Sequence, residues 1–145
     1  MSKQKNIEET ARKLHSAALH LMRYVREKDT ILGVPPAQLS ALSVIVFGGK
    51  QSLSDLARAE QVRPPTMSRI VDGLVEDGLV KRDVDKMDRR SVVITATDKG
   101  VKITHEGRSR REQQLVELLH SLPKQEVELL DKASDVIAKS LKTRH

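Results

Sequence analysis

The segment Arg63–Arg69 concentrates side chains that can form hydrogen bonds with nucleic acid. Thr66 and Ser68 carry hydroxyl groups that can bond a phosphate or a base edge, and the guanidinium of Arg69 matches O6 and N7 of guanine. Pro64 and Pro65 are expected to be exposed and to let the backbone approach a partner closely. These residue types predict direct readout of DNA in its major groove.

A second cluster of charges, Asp85–Arg90, separates two segments that are predicted to be strands. It contains no glycine, which predicts a hairpin with a longer loop. Arg89 and Arg90 suit a minor groove, because narrow A·T-rich grooves have a more negative potential that favours arginine. Asp88 is predicted to fix the direction of an arginine. The two predicted strands are Leu79–Val84 and Ser91–Thr95.

Two short helices joined by a tight turn would position the first cluster. Ser52 and Asp55 form a capping-box-like start to a helix over Leu53–Ala59. A second helix is predicted over Pro64–Val75, with a stop at Asp77-Gly78. This is a helix-turn-helix pattern, in which the second helix enters the major groove. The residues predicted to face the core from this second helix are Ile70, Leu74 and Val75.

Longer helices flank this pattern. Apolar residues spaced by four and three over Ile7–Val25 predict a coiled-coil-like first helix. After a break over Asp29–Pro36, a second helix spans about Pro36–Phe47, and Thr97 caps a long helix over about Asp98–Leu122. These elements predict a mainly α fold with a small β-hairpin wing, a winged helix-turn-helix with terminal helices outside its core. The predicted apolar faces are Ile7, Ala11, Leu14, Ala18, Leu21 and Val25 in the first helix, Leu39, Leu42, Ile45 and Val46 in the second, and Val127, Leu130, Ile137 and Leu141 in the last, which begins at Pro123.

Composition excludes several classes of function. The chain has 145 residues, 26 Lys and Arg against 20 Asp and Glu, a net charge of +6 and no cysteine. Thiolate catalysis, Cys-based zinc sites and disulfides are therefore excluded, and a reducing cytoplasm is expected. The five histidines have no ligand spacing, and there is no Ser-His-Asp set or phosphate loop, so we expect no enzyme activity, no cofactor and no metal. The N-terminus has no apolar signal region and the longest apolar stretch is too short for a bilayer, so no membrane association is expected.

Two segments resemble the MarR family of bacterial transcriptional regulators. They are SLSDLARAEQVRPPTMSRIVDGLVEDGLVKR and DKMDRRSVVITATDKG, the second of which looks like the family's Asp-x-Arg wing motif followed by a strand, Thr and Gly. The resemblance implies that Asp88 and Arg90 are the wing pair, with Arg90 in the minor groove. Gln61 replaces a frequent turn glycine, and Arg63 stands at the usual Ser or Thr cap position, which suggests a phosphate contact. The recognition-helix positions that the resemblance implies are Pro65, Thr66, Ser68 and Arg69.

The resemblance also implies a homodimer made by the first and the last two helices. Packing their apolar faces against a second chain would offset their exposure. The alternative is packing of these helices on one another within one chain. We therefore expect a single MarR-like chain over 1–145, with a winged-helix DNA-binding lobe at 31–97 and dimerisation helices at 5–30 and 98–145. A two-fold symmetric dimer would bind an inverted-repeat operator.

A small-molecule pocket between this lobe and the dimer helices is a further implication of the resemblance. Arg23 or His15 could pair with an anionic effector, and aliphatic walls would take its aromatic or aliphatic body. The alternative is a constitutive repressor with no ligand. The candidates are His15, Leu19, Arg23 and Phe47, with Arg12 and His105 as more distant ones.

Two functions from different classes remain. The first is a sequence-specific regulator of double-stranded DNA, a repressor released by a small-molecule effector, located in the bacterial cytoplasm and on the nucleoid when DNA-bound. The second is a winged-helix protein-interaction module without DNA binding. Arg69 and Arg90 favour the first, because an interaction module would be expected to expose an apolar groove there.

Overall fold

The computed structural model describes residues 2–27 and 33–143 and divides into two compact units, Met1–Arg111 and Glu112–His145. Residues 29–32 of the predicted break after the first helix lie outside the described residues. The elements are α1 (Lys3–Arg26), α2 (Pro36–Gly48), β1 (Gln51–Ser52), α3 (Leu53–Ala59), α4 (Pro64–Glu76), β2 (Val80–Val84), β3 (Val92–Ala96), α5 (Asp98–His120) and α6 (Lys124–Lys142).

Short-range capping signals set several helix starts as predicted. The hydroxyl of Ser52 accepts a hydrogen bond from the amide of Asp55 at 3.1 Å, which begins α3. The hydroxyl of Thr97 accepts one from the amide of Gly100, also at 3.1 Å, which begins α5. Helix α2 starts at Pro36, where a missing backbone donor costs nothing. The predicted order of helices and hairpin is confirmed.

The core of the first unit is aliphatic and lies where α2, α3 and α4 pack with the sheet. Helix α2 contributes Leu39, Leu42 and Ile45, as predicted, while Val46 is only half-buried at its margin. The large side chains that are fully buried are Leu42, Leu56, Met67, Val71, Leu74, Leu79 and Ile94.

The buried face of α4 differs from the predicted one. Leu74 is fully buried, but Val75 is 37% exposed and Ile70 is only partly buried. Met67 and Val71 complete the face instead. The prediction for Val75 was wrong because that residue lies about 100° around the helix from Leu74, whereas positions 67, 71 and 74 recur on one side.

A three-stranded antiparallel sheet completes the first unit, in the order β1-β3-β2. Strands β2 and β3 form the predicted hairpin, with Arg82 opposite Ile94. Strand β2 begins one residue later than predicted and ends at the predicted Val84, whereas both bounds of β3 are one residue later than predicted. Strand β1 was not predicted, because two residues are too few to show alternation. Its residue Gln51 pairs with Ile94, while Ser52 both ends the strand and caps α3.

In the second unit, α6 has no buried residue. Its predicted apolar face stays largely in solvent within the single chain, with Leu130, Ile137 and Leu141 between 40% and 60% exposed and Val127 half-buried. No helix in the described part of the chain combines the length and the apolar character needed to cross a bilayer.

Candidate nucleic-acid interface

Helix α4 presents its N-terminal turn to solvent. Because Met67 points into the core, the neighbouring positions on either side point outward. Arg63 is the N-cap in extended conformation and makes no side-chain cap hydrogen bond, so its guanidinium is not used to start the helix. The predicted contact residues Arg63, Pro65, Thr66 and Arg69 are exposed, and Ser68 is half-buried.

Gln61 turns the chain between α3 and α4. Its φ of 56° lies in the left-handed region that favours glycine. The amide of Gln61 donates to the carbonyl oxygen of Arg58 at 3.2 Å, and the amide of Val62 donates to that of Ala57 at 3.0 Å. The turn therefore keeps a glycine-type conformation although the residue is glutamine.

The wing is the loop Asp85–Arg90 with its two flanking strands, and its aspartates bond its own backbone. One carboxylate oxygen of Asp88 accepts from the amide of Arg90 at 3.0 Å, and the other accepts from the hydroxyl of Ser91 at 3.1 Å. Asp85 Oδ1 accepts from the amide two residues further on at 2.9 Å. Asp88 thus orients Arg90 through its main chain and not through its guanidinium. The side chains of Arg89 and Arg90 are exposed.

Arg82 joins the wing to α4, and sequence reasoning did not single it out. Its guanidinium forms an ion pair with the carboxylate of Asp72 and donates to the backbone carbonyl oxygen of Ser68 at 3.4 Å. Ten positions separate the two charged residues, and no periodic spacing connects a strand with the preceding helix. The available signal was a single carboxylate, Asp72, in the middle of a helix whose outer face is otherwise suited to a polyanion.

Comparisons with known proteins match this geometry. The model of the MarR family matches residues 32–91, which contain the helix-turn-helix and the wing loop. An uncharacterized HTH-type transcriptional regulator of Mycobacterium leprae is 32% identical over 124 residues, covering 86% of this chain and 87% of that protein. The chain belongs to the MarR family of transcriptional regulators. As a MarR-family member it is a DNA-binding transcriptional regulator.

Further relatives of this MarR-family chain agree. The HTH-type transcriptional repressor MdtR of Bacillus subtilis is 32% identical over 68 residues, which are 47% of this chain and 44% of that protein. A solved MarR family protein of Bacillus stearothermophilus has a TM-score of 0.82 at 22% identity, covering 98% of this chain and 99% of that one. At such identity the likeness shows a shared fold, and the predicted winged helix-turn-helix is confirmed.

Among the residues predicted for an effector pocket of this MarR-family chain, Phe47 contacts other side chains and the remaining three are exposed. Phe47, half-exposed at the end of α2, has the ring of His105 edge-on with centroids 5.6 Å apart. The guanidinium of Arg108 lies over the same ring at 5.3 Å. The other three candidates are exposed along α1, namely His15, Leu19 and Arg23.

A small cavity lies among α1, α2 and α5. Its volume is about 170 Å³, and none of the four predicted effector residues lines it. The lining residues are Met22, Arg26, Pro36, Leu39, Ser40, Ser43 and Arg111. The cavity therefore offers two arginines, two hydroxyl groups and apolar walls on the elements where the pocket was expected.

Proposed function

We propose that this chain is a homodimeric repressor that binds an inverted-repeat operator on double-stranded DNA. The observation that carries the proposal is the exposed N-terminal turn of α4, whose inward Met67 leaves Thr66 and Arg69 directed at solvent, in the same unit as a wing with exposed Arg89 and Arg90. Similarity to a named repressor, MdtR, supports repression of transcription over activation.

Each contact residue has a role in this proposal. The guanidinium of Arg69 forms two hydrogen bonds with O6 and N7 of a guanine. Pro65 lets the backbone approach the DNA closely, and the hydroxyl groups of Thr66 and Ser68 bond phosphates or base edges. Arg63, whose side chain makes no cap bond, contacts a phosphate. In the wing, Arg90 enters the minor groove with Arg89 beside it, while Asp88 holds the backbone of Arg90.

The dimer would form through apolar side chains that one chain leaves in solvent. On α1, Ile7, Leu14 and Leu21 of the predicted seam are between 44% and 54% exposed, whereas Val25 at its end is buried. The exposed apolar face of α6 is the second contribution. In this arrangement residues 31–97 form the DNA-binding lobe, and residues 5–30 and 98–145 form the dimerisation helices. The operator-bound dimer resides on the nucleoid.

A small anionic molecule is the proposed effector. The cavity of about 170 Å³ is smaller than the roughly 300–1,000 Å³ that suit drug-sized ligands, so it fits a small carboxylate beside Arg26. His15, Leu19 and Arg23 on α1 and Phe47 on α2 are the neighbouring candidates from sequence. Such a ligand releases DNA only if it binds more tightly to a state in which the two recognition helices no longer match the operator.

Selection of DNA from a random-sequence library by the wild-type chain tests the function. The proposal expects enrichment of an inverted repeat whose half-sites lie about one helical turn apart, and a dimer by light scattering at micromolar concentration. A monomer, or enrichment of no sequence, would contradict it. Failure to retain any DNA at low salt would instead favour a protein-interaction module.

Titration of benzoate and butyrate against the selected complex tests the effector. Millimolar benzoate or butyrate is expected to weaken the complex of the wild-type chain, and Arg26→Ala to reduce that response. Arg23→Ala tests the neighbouring candidate in the same way. No response in the wild-type chain would favour a constitutive repressor.

A further inference from the structure

The contact between Arg82 and Asp72 lies between the two parts of the chain that read DNA. Ser68 and Asp72 are four residues apart on α4, so the guanidinium of Arg82 spans one turn of that helix. We propose that the Arg82–Asp72 pair is a positioning device that fixes where the wing lies relative to α4, and therefore which base pairs the wing reads. This inference rests on the proposed function and assigns no base contact to either residue.

The hydrophobic core holds only the base of the wing. Within β2, Val80 is buried and the other four residues are exposed. Across the hairpin, Ile94 is buried opposite Arg82, but Val84 and Val92, the last pair before the loop, are 58% and 44% exposed. Arg82 is therefore a polar tether on β2, at the last level of the hairpin that the core reaches through Ile94. The loop with Arg90 begins three residues after it, so the direction of β2 at Arg82 sets the direction of the loop.

Stability alone does not account for the pair. The side chains of Arg82 and Asp72 are 37% and 60% exposed, and solvent screens ion pairs at such positions, so their contribution to folding is small. The planar guanidinium nevertheless bonds in a fixed direction, which suits it to hold two elements in register.

Charge alone does not account for the pair either. Asp72 places a carboxylate on the helix that meets a polyanion, and a negative charge there opposes the approach of phosphates. An electrostatic role therefore predicts that neutralising Asp72 strengthens DNA binding. A positioning role predicts instead that the same change damages recognition by the wing.

The test measures discrimination by the wing as a ratio, the dissociation constant for a substituted duplex divided by that for the operator. One duplex is the operator selected by the wild-type chain, and the other has the A·T pairs beside each half-site replaced by G·C. Because both duplexes carry the same phosphates, general charge effects cancel in the ratio. Arg82→Ala and Asp72→Asn are each expected to lower the ratio about fivefold, and the double exchange Asp72→Arg with Arg82→Asp to restore most of it.

Lys81→Ala is the matched control. It removes one positive charge from the same strand, and the strand alternation directs Lys81 to the opposite face of the sheet from Arg82. The ratio should stay at the wild-type value, and all variants should melt close to the wild-type temperature. If Arg82→Ala does not fold, Asp72→Asn and the double exchange still decide the question.

Two results would overturn the inference while leaving the proposed function intact. One is an unchanged ratio in both single variants. The other is that Arg82→Ala binds both duplexes equally more weakly while Asp72→Asn binds both more tightly. That result would mean that the two residues act on DNA only through their charges. Failure of the wild-type chain to enrich any duplex would overturn the proposed function itself, and this inference with it.

Discussion

The hydroxyl of Thr97 donates a 2.6 Å hydrogen bond to the carbonyl oxygen of Gly78. The same oxygen of Thr97 accepts from the amide of Gly100, and the amide of Thr97 donates to the carbonyl oxygen of Leu79 at 3.0 Å. One residue thus ties the end of the recognition helix and the start of the wing to the first turn of α5. These bonds fix where β2 begins relative to the end of α4 and the start of α5.

Gly100→Ala should destabilise the chain by about 1–3 kcal/mol, the usual cost of forcing an added methyl into packed structure. A Cβ at Gly100 would lie 2.1 Å from the carbonyl oxygen of Leu79, a backbone atom that cannot move aside freely. Urea unfolding measures the loss. Gly48→Ala is the control, since its Cβ would meet only the amide end of the Gln51 side chain. Equal effects of the two substitutions would contradict the close packing at Gly100.

The effect of Gly73→Ala should depend on Gln38. A Cβ at Gly73 would lie 2.3 Å from Nε2 of Gln38, whose Oε1 is buried without a hydrogen-bond partner. In a Gln38→Ala background, alanine at position 73 should raise the free energy of unfolding by about 1 kcal/mol, the gain in helix propensity over glycine. In the wild-type background the displaced glutamine should offset this gain. A double-mutant cycle by urea unfolding checks the difference, and a coupling of zero would count against it.

Ser52→Ala should lower the free energy of unfolding by about 1 kcal/mol, because the amide of Asp55 loses its acceptor at the start of α3. Ser54→Ala provides a matched change at an exposed position in the same helix, with little effect expected. Thermal or urea unfolding distinguishes them. If the two variants unfold alike, the cap at Ser52 does not stabilise α3.

Arg63→Ala should weaken binding to all DNA sequences alike. A phosphate contact carries no sequence information, so its loss should also reduce the slope of log affinity against log salt by about 1. Binding isotherms on the selected operator and on an unrelated duplex, at several salt concentrations, measure both quantities. A loss confined to the operator would assign Arg63 a base contact instead.

The helix order could be predicted because its signals are local. Caps act over three residues, as Ser52 and Thr97 show, and apolar periodicity marks a helix within a few turns. The exact buried face of α4 could not be predicted in the same way. Val75 and Val71 are chemically identical, and only the packing direction of the helix decides which of them is buried.

Contacts between residues of separate helices and strands could not be predicted from the sequence. The ion pair of Arg82 with Asp72 depends on how β2 lies beside α4, and the two-residue strand β1 exists only because β3 offers it an edge. The effector candidates show the same limitation, since Phe47 contacts His105 while the cavity beside α1 is lined by other residues. Contacts between separate elements depend on register, which composition and spacing do not specify.

Methylation interference on the selected operator tests the central claim in both grooves at once, because guanine N7 lies in the major groove and adenine N3 in the minor groove. The wild-type chain should show interference at guanine N7 within two half-sites and at adenine N3 beside them. Arg69→Ala should remove the N7 interference at one base pair per half-site, with a loss of about 1–3 kcal/mol in binding, and Arg90→Ala should remove the N3 interference and the preference for A·T. A pattern that neither variant alters would contradict the account of α4 in the major groove and the wing in the minor groove.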